Sequence, residues 1–304
     1  MKHIKPLLQS LFIMASMVEA RDTYTGGHLW RVSQFSRLLA EKIGLSNREV
    51  ARISLGGFLH DLGKISIPDT ILGKPGPLTD EEYEVIKMHS EVGARLLGDH
   101  PLAGLVIDAI LSHHETPLGN GYPHGLTAHN IPMDARIVGI CDAFDAMTSN
   151  RSYRKGMSVK KALTIIDSEL GKQFDRDYGI HFLELGHEGI LDHIVEHSEP
   201  GIPLQKCPVC GPTIVVTRKH RSGDNVFCRS CGGEAIVERT GTDISIEPTG
   251  RKGLLAELET DVDLDLITEL VQEAVIQLDE EVVTNRTGHL EPQVRLIAKE
   301  KGLQ

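Results

Sequence analysis

Seven residues of the N-terminal two thirds have side chains suited to holding metal: His28, the adjacent pair His60-Asp61, His89, the adjacent pair His113-His114, and Asp142. Most sit among apolar neighbours, as in GFLHDLG at 57–63 and ICDAF at 140–144. Burying several ionisable groups is costly unless something compensates, and cations do so. Neutral imidazoles with carboxylates suit Fe, Mn, Zn or Ni better than Ca or Mg, and one aspartate can bridge two cations with its two oxygens. Neighbouring residues on a helix diverge by about 100°, so the His-Asp and His-His pairs fit a shared cluster better than a single helical face. A second, separate chemistry stands further on. Cys207 and Cys210 form one CxxC pair and Cys228 and Cys231 another, with seventeen residues between the pairs, the spacing of a structural zinc site. Gly211 and Gly232 follow the two pairs and ease the turn of backbone amides toward the thiolates.

Amphipathic helices must position the first set. Such patterns run near 3–20, 28–43, 46–62, 79–98, 102–114, 133–148 and 158–170, the last with Val159, Leu163, Ile166 and Leu170 in one stripe. Two Gly/Pro-rich loops, 67–79 and 115–132, interrupt them and are long enough to be binding walls. At residues 199–203 the character changes to short β-rich runs at 213–216, 225–227, 235–237 and 244–246. Beyond Gly250 a helical pattern returns, with Ile267, Leu270, Ala274 and Leu278 on one face. Ten acidic residues fall between Glu257 and Glu281 with no Lys or Arg among them, which predicts a solvated acidic face. The expected organisation is a mainly α protein: an all-helical bundle over 1–198, a zinc ribbon over 199–250, and an acidic helical segment over 251–304.

The chain of 304 residues has 40% hydrophobic content, which excludes disorder throughout, and a formal net charge of −11, which argues against nucleic acid as the main partner. Aromatic residues make up 4%, so the core must be aliphatic. Four of five cysteines fall in the CxxC pairs, which points to a reducing compartment, and the fifth, Cys141, reads as a small core residue. The first twenty residues follow helical spacing at Leu7, Leu8, Leu11, Met14 and Val18, and no run approaches the ~18 apolar residues of a membrane span. The expectation is a cytoplasmic protein without membrane attachment. A domain of about fifty residues cannot fold on its core alone, so zinc in the ribbon contributes on the order of 10 kcal/mol to its folding. Four thiolates leave no open coordination position, and the ribbon reads as a scaffold for contacts, with a second copy of the chain or a protein partner as candidates.

The sequence resembles the HD-GYP subfamily of HD-domain metal-dependent phosphohydrolases. The resemblance is carried by RDTYTGGH at 21–28, HDLGKISIPD at 60–69, KPGPLT at 74–79, IKMH at 86–89, HHE at 113–115, GYP at 121–123 and DAFDAMTSNRSYR at 142–154, and it spans about residues 5–185. It implies an all-helical fold, a di-metal or tri-metal site, commonly of iron or manganese, and hydrolysis of cyclic di-GMP to pGpG and in some members on to GMP. One metal would be held by His28, His60, Asp61 and Asp142, the other by Asp61, His89, His113 and His114. Members with three metals carry a glutamate four residues before the first histidine, where this chain has Tyr24, so two metals are expected. A hydroxide between cations ~3.5–4 Å apart would be the nucleophile, with Lys64 stabilising the transition state. Arg151 and Arg154 match positions used on substrate phosphates, Asp145 and Ala146 would line the same groove, and Tyr122 would border it. Leu118-Gly119 stands where Asp-Gly is more common, which touches the loop and no ligand. His181, His187, His193 and His197 lie outside every block and read as surface residues. Two alternatives stay open: another nucleotide substrate such as cyclic GMP-AMP, or a catalytically silent receptor acting through the ribbon.

Overall fold

A computed structural model describes residues 4–21, 26–74, 76–150, 155–211, 213–241, 243–258 and 262–278. Helices α1 (Ile4–Arg21), α2 (His28–Lys42) and α3 (Asn47–Leu59) are followed by a 3-10 turn, Leu62–Ser66, and a single turn, α4 (Asp69–Leu72). Then come α5 (Asp80–Lys87), α6 (His89–Leu96), α7 (Ala103–Ser112), α8 (Met133–Thr148), α9 (Val159–Ser168) and α10 (Arg176–His187). Local chemistry fixes several starts: Ser46 with Glu49 and Thr79 with Glu82 form reciprocal capping boxes for α3 and α5. The single helix expected over 79–98 is broken at Met88, where α6 begins anew with His89.

The bundle buries aliphatic faces around a small aromatic centre, in which Phe35 of α2, Phe144 of α8 and Phe182 of α10 meet edge to face, with ring centroids 5.2 Å and 5.0 Å apart. The mainly α architecture followed by a small β-rich unit is the one expected. No helix among the described residues is long and apolar enough to cross a membrane.

The ribbon comprises β1 (His197–Glu199), β2 (Ile202–Pro203), β3 (Gln205–Lys206), β4 (Thr213–Ile214), β5 (Asn225–Phe227), β6 (Gly233–Thr240) and β7 (Asp243–Lys252), paired antiparallel as β1-β2, β3-β4 and β5-β6-β7. Its small core gathers Ile202, Ile214, Val216, Val226 and Val237 around Cys207 and Cys228. The four cysteines are free of disulfides and their sulfurs stand 3.5, 3.6 and 3.7 Å apart in successive pairs. Tetrahedral thiolates at Zn–S ≈ 2.3 Å stand about 3.8 Å apart, so the donor set fits that ion.

Residues 262–278 do not stand apart from the bundle. Helix α11 (Leu264–Gln277) lies against α1 and α3, and Ile267, Leu270, Val271, Ala274 and Leu278 join the bundle's own core. Its acidic side is exposed as expected, and on it Glu269 pairs with Arg218, Asp265 with Lys219, and Glu273 with Arg37. Exposed pairs of this kind each contribute about 0–1 kcal/mol, so the apolar stripe holds the helix and the charges orient it. Between the ribbon, α1, α2 and α11 lies a cleft of about 390 Å³ whose apolar walls include Trp30, Phe58 and Phe227.

Candidate metal centre

Four histidines reach the centre of the bundle from four elements, and each is oriented by the nitrogen it turns away. His60, at the end of α3, donates from Nδ1 to the Gly57 carbonyl at 2.7 Å. His89, opening α6, donates to Ile86 O at 2.8 Å. His113, closing α7, points Nδ1 at Ala109 O and Ile110 O, 3.0 and 3.1 Å away. His28, opening α2, directs Nδ1 at the Asp145 carboxylate at 2.7 Å. These bonds occupy Nδ1 and leave Nε2 as the inward-facing nitrogen of each ring, the arrangement of metal-ligating imidazoles.

The inward atoms fall into two groups. Nε2 of His28 lies 3.3 Å from Nε2 of His60 and 3.5 Å from Asp142 Oδ1. Nε2 of His89 lies 3.3 Å from Nε2 of His113, and His114 completes that trio. Donors about 2.1 Å from one cation and 90–110° apart stand roughly 3.0–3.5 Å from each other, so both groups have the spacing of ligands around an ion. Asp61 lies between them: Oδ2 is 3.5 Å from His28 and 3.4 Å from His60, while Oδ1 is 3.5 Å from His89. One carboxylate thus turns a different oxygen to each trio. A further group, His60, Asp61 and His113, spans the two trios, and beyond these and the four cysteines no group of three potential ligands is found among the described residues; His193 and His197 belong to none.

The electrostatics match a place prepared for positive charge. Burial alone would lower the His28 pKa, yet the carboxylates of Asp145, Asp61 and Asp142 overcome it and raise it to about 10. At the other trio burial dominates and drives His114 down to about 3, with His113 also held well below its usual value, so these imidazoles are neutral and available as ligands. Burial raises the carboxyl pKa of Asp61, but Lys64 and His60 more than offset it and hold Asp61 ionised. Cys141, next to Asp142, is fully buried with its thiol pushed up to about 12 by burial, as befits a core residue.

Other expected site residues fall as follows. Lys64 Nζ lies 2.6 Å from Asp61 Oδ2, directly at the shared carboxylate. Tyr122 stacks on the His114 ring, with centroids 4.6 Å apart and planes at 26°, so the loop at 121–123 braces a ligand. Ala146 is half-buried on α8. Asp145 does not line a groove: at 1% exposure it stands behind His28, where Arg31 takes Asp145 Oδ1 at 2.5 Å and Oδ2 at 3.0 Å. The reason is helical geometry, since Asp145 and Asp142 are separated by three positions on α8 and share its inner face. Arg151, Arg154 and Tyr24 lie outside the described residues.

Two contributors were not singled out from the sequence. Arg31 is one; the other is Glu115, buried, whose carboxylate accepts the amides of His124 and Leu126 and so fixes the loop carrying Tyr122. Their types carried a signal, a charged residue beside a ligand, but not the identity of the partner.

Glycines let the backbones close around the centre. A Cβ on Gly63 would stand 1.8 Å from His89 O and 2.5 Å from Gly93 N, and one on Gly139 would stand 2.6 Å from His113 O. Backbone cannot swing aside as a side chain can, so Gly63→Ala must push α6, and His89 with it, away from Asp61. A displacement of ~1 Å at a reacting centre costs about 10²-fold in rate. Gly63→Ala is expected to lose the metal at the His89 trio, which metal analysis of the purified variant will register, while the four-cysteine site stays filled.

A model of the HD domain family matches residues 13–178, more than half of the chain and all of the blocks around the ligands. The chain belongs to the HD domain family. Within this family the chain is 40% identical over 169 residues to the cyclic di-GMP phosphodiesterase response regulator RpfG of Xanthomonas campestris, covering 55% of this chain and 45% of that one. It is 40% identical over 184 residues to a cyclic di-GMP phosphodiesterase of Thermotoga maritima, covering 60% and 50%. To the 3'3'-cGAMP-specific phosphodiesterase 2 of Vibrio cholerae it is 35% identical over 167 residues, covering 54% and 32%. The chain thus spans half or less of the length of these curated relatives.

Proposed function

We propose that the chain is a metal-dependent cyclic-dinucleotide phosphodiesterase that hydrolyses cyclic di-GMP to pGpG and on to GMP, with iron or manganese in the HD site and zinc in the ribbon. The observation that carries this reading is Asp61, with its two oxygens turned to two separate trios of ligand atoms. The relatives named for cyclic di-GMP support the choice of substrate class.

His28, His60, Asp61 and Asp142 would hold one cation, and Asp61, His89, His113 and His114 the other. When bound, such a pair supplies charge neutralisation at the phosphoryl oxygens and activation of water for in-line attack. The chain's own residues do the rest. The Nδ1 bonds of His28, His60, His89 and His113 keep the ligand nitrogens aimed before substrate arrives, so no reorganisation is needed during the reaction. Lys64 places an ammonium at the shared carboxylate, where it can follow charge developing on a non-bridging oxygen. Tyr122 supports His114 and presents a half-buried ring at the border of the site. Arg151 and Arg154 are proposed to meet the substrate phosphates by fork-like donation.

A second reading keeps the chemistry and changes the base: the similarity to a 3'3'-cGAMP-specific enzyme favours testing cyclic GMP-AMP beside cyclic di-GMP. Protein purified without oxygen, analysed for metals and assayed in time against both substrates decides between them. About three metals per chain with pGpG or GMP appearing supports the leading reading, and faster turnover of cyclic GMP-AMP supports the second. Binding of either nucleotide without turnover, after iron and manganese are restored, would make the chain a receptor. His60→Ala is expected to abolish hydrolysis in the same assay.

A further inference from the structure

Arg31 is the largest fully buried side chain of the bundle, at 1% exposure, and its guanidinium joins two parts of the chain that the sequence keeps far apart. Nε and Nη2 grip both oxygens of Asp145, and Nη2 also reaches Ser149 Oγ at 3.2 Å. Nη1 donates to Gly26 O at 2.9 Å and to the carbonyl of His197, the first residue of β1, at 2.8 Å. Asp145 Oδ2 in turn takes Nδ1 of His28. Two planar groups, a guanidinium and a carboxylate, therefore connect the backbone of β1 to the imidazole of His28.

A second contact reaches the same turn independently. Gly27, the N-cap of α2 immediately before His28, has φ of +71°, and a Cβ there would stand 2.5 Å from Ser198 Cα. A Cβ on Gly26 would stand 2.2 Å from Val215 Cγ2. Ribbon backbone and side chain thus lie directly on the turn that delivers His28. Strand β1 is itself fastened within the ribbon: Ser198 Oγ donates to Ile202 O and Val216 O, and Glu199 accepts Arg218 N at 2.7 Å and Nε at 2.5 Å. Ile202 and Val216 pack in the core that surrounds Cys207 and Cys228.

We propose that Arg31 is a positioning residue for the metal centre and that the zinc ribbon, through β1, is the part that holds it, so that seating of the ribbon sets the orientation of His28. The inference rests on the reading of His28 as a metal ligand. It is selective between the two trios: His89 and His113 are aimed by carbonyls of the bundle itself and have no link to the ribbon of this kind. Outer partners of a ligating histidine are worth about 10–100-fold in metal affinity. Loosening β1 should weaken the His28, His60 and Asp142 position and spare the His89, His113 and His114 position. Zinc bound far from the chemistry would then control whether the second cation is held.

The test uses the full chain, its Arg31→Lys variant and its Cys228→Ser variant. Arg31→Lys keeps a positive charge opposite Asp145 but replaces a five-donor fork with a single ammonium. Each protein is titrated with cobalt(II) without oxygen, with stoichiometry by elemental analysis, thiolate-to-cobalt absorption reporting the ribbon separately, and amide hydrogen exchange followed over residues 26–42 and 89–96. In both variants one of the two HD-site affinities is expected to fall about tenfold or more while the other stays within about twofold, with faster exchange over 26–42 alone. Unchanged affinities in Arg31→Lys overturn the role of Arg31, and unchanged affinities in Cys228→Ser overturn the role of the ribbon. An equal fall at both positions also overturns the proposal, because it signals general loss of structure. If the parent chain takes up cobalt at the thiolates only, the reading of the metal centre fails first and the inference with it.

Discussion

Asp61→Ala is expected to lower hydrolysis of cyclic di-GMP by at least about 10³-fold, equivalent to roughly 4 kcal/mol of transition-state stabilisation. The size follows from position. Asp61 is the one residue whose two side-chain oxygens face both trios, 3.4–3.5 Å from His28, His60 and His89. Removing it takes a ligand from each cation and the anion that holds them together, whereas His60→Ala takes a ligand from one. Asp61→Asn separates charge from shape, because the amide keeps the volume and one acceptor but presents N–H donors to atoms that must meet a cation. Both variants are therefore expected to fall together in single-turnover assays. Metal analysis should give less than two HD-site cations, while the zinc of the four cysteines is retained. Wild-type turnover by Asp61→Asn would mean that the carboxylate does not bridge and that the two trios work separately.

The ligands were legible in the sequence because residue type and adjacency carry the information: a His-Asp pair, a His-His pair and apolar neighbours leave few outcomes other than a buried cluster. The cysteines were legible for the same reason. Arg31 was not, since an arginine three residues after His28 in a helix reads as a surface cation, and its burial depends on Asp145, 114 positions away. Asp145 itself was placed in the substrate groove by analogy of motif, when its position one turn from Asp142 puts it behind His28. Helix α10 escaped the periodicity reading because Gly179 and Gly186 occupy buried positions of its face. The stripe of α11 was visible at Ile267, Leu270, Ala274 and Leu278, but no local pattern tells that it closes over α1 and α3. For Arg31, Asp145 and α11 what remained hidden was a long-range partner, which only packing supplies.

The Arg31–Asp145–His28 group is the place where that long-range information is most costly to lose. Asp145→Ala leaves a guanidinium buried at 1% exposure without its carboxylate, and breaking a buried pair in this way costs about 3–5 kcal/mol. Urea denaturation at neutral pH should show this as a fall in the midpoint with little change in slope. The pH dependence gives a separate check. Burial pushes the Asp145 carboxyl pKa up, but the charge of Arg31 and the hydrogen bond from His28 more than offset it and hold it well below the usual carboxylate range. A depressed folded-state pKa contributes stability that is fully present above the unfolded value of about 3.9 and is lost as pH falls through the folded one. The part of the gap between parent and Asp145→Ala that belongs to the Asp145 carboxyl should therefore be constant from about pH 7 to pH 5 and narrow only in strong acid, as Asp145 of the parent takes up its proton. A part of the gap that shrinks instead as pH rises from about 6.5 towards 10 belongs to His28, whose raised pKa contributes stability only while the imidazole is protonated. Because Asp145 also holds His28 Nδ1, the same variant should lose affinity for one HD-site cation by about 10–100-fold, which ties the stability of the bundle to the occupancy of its centre.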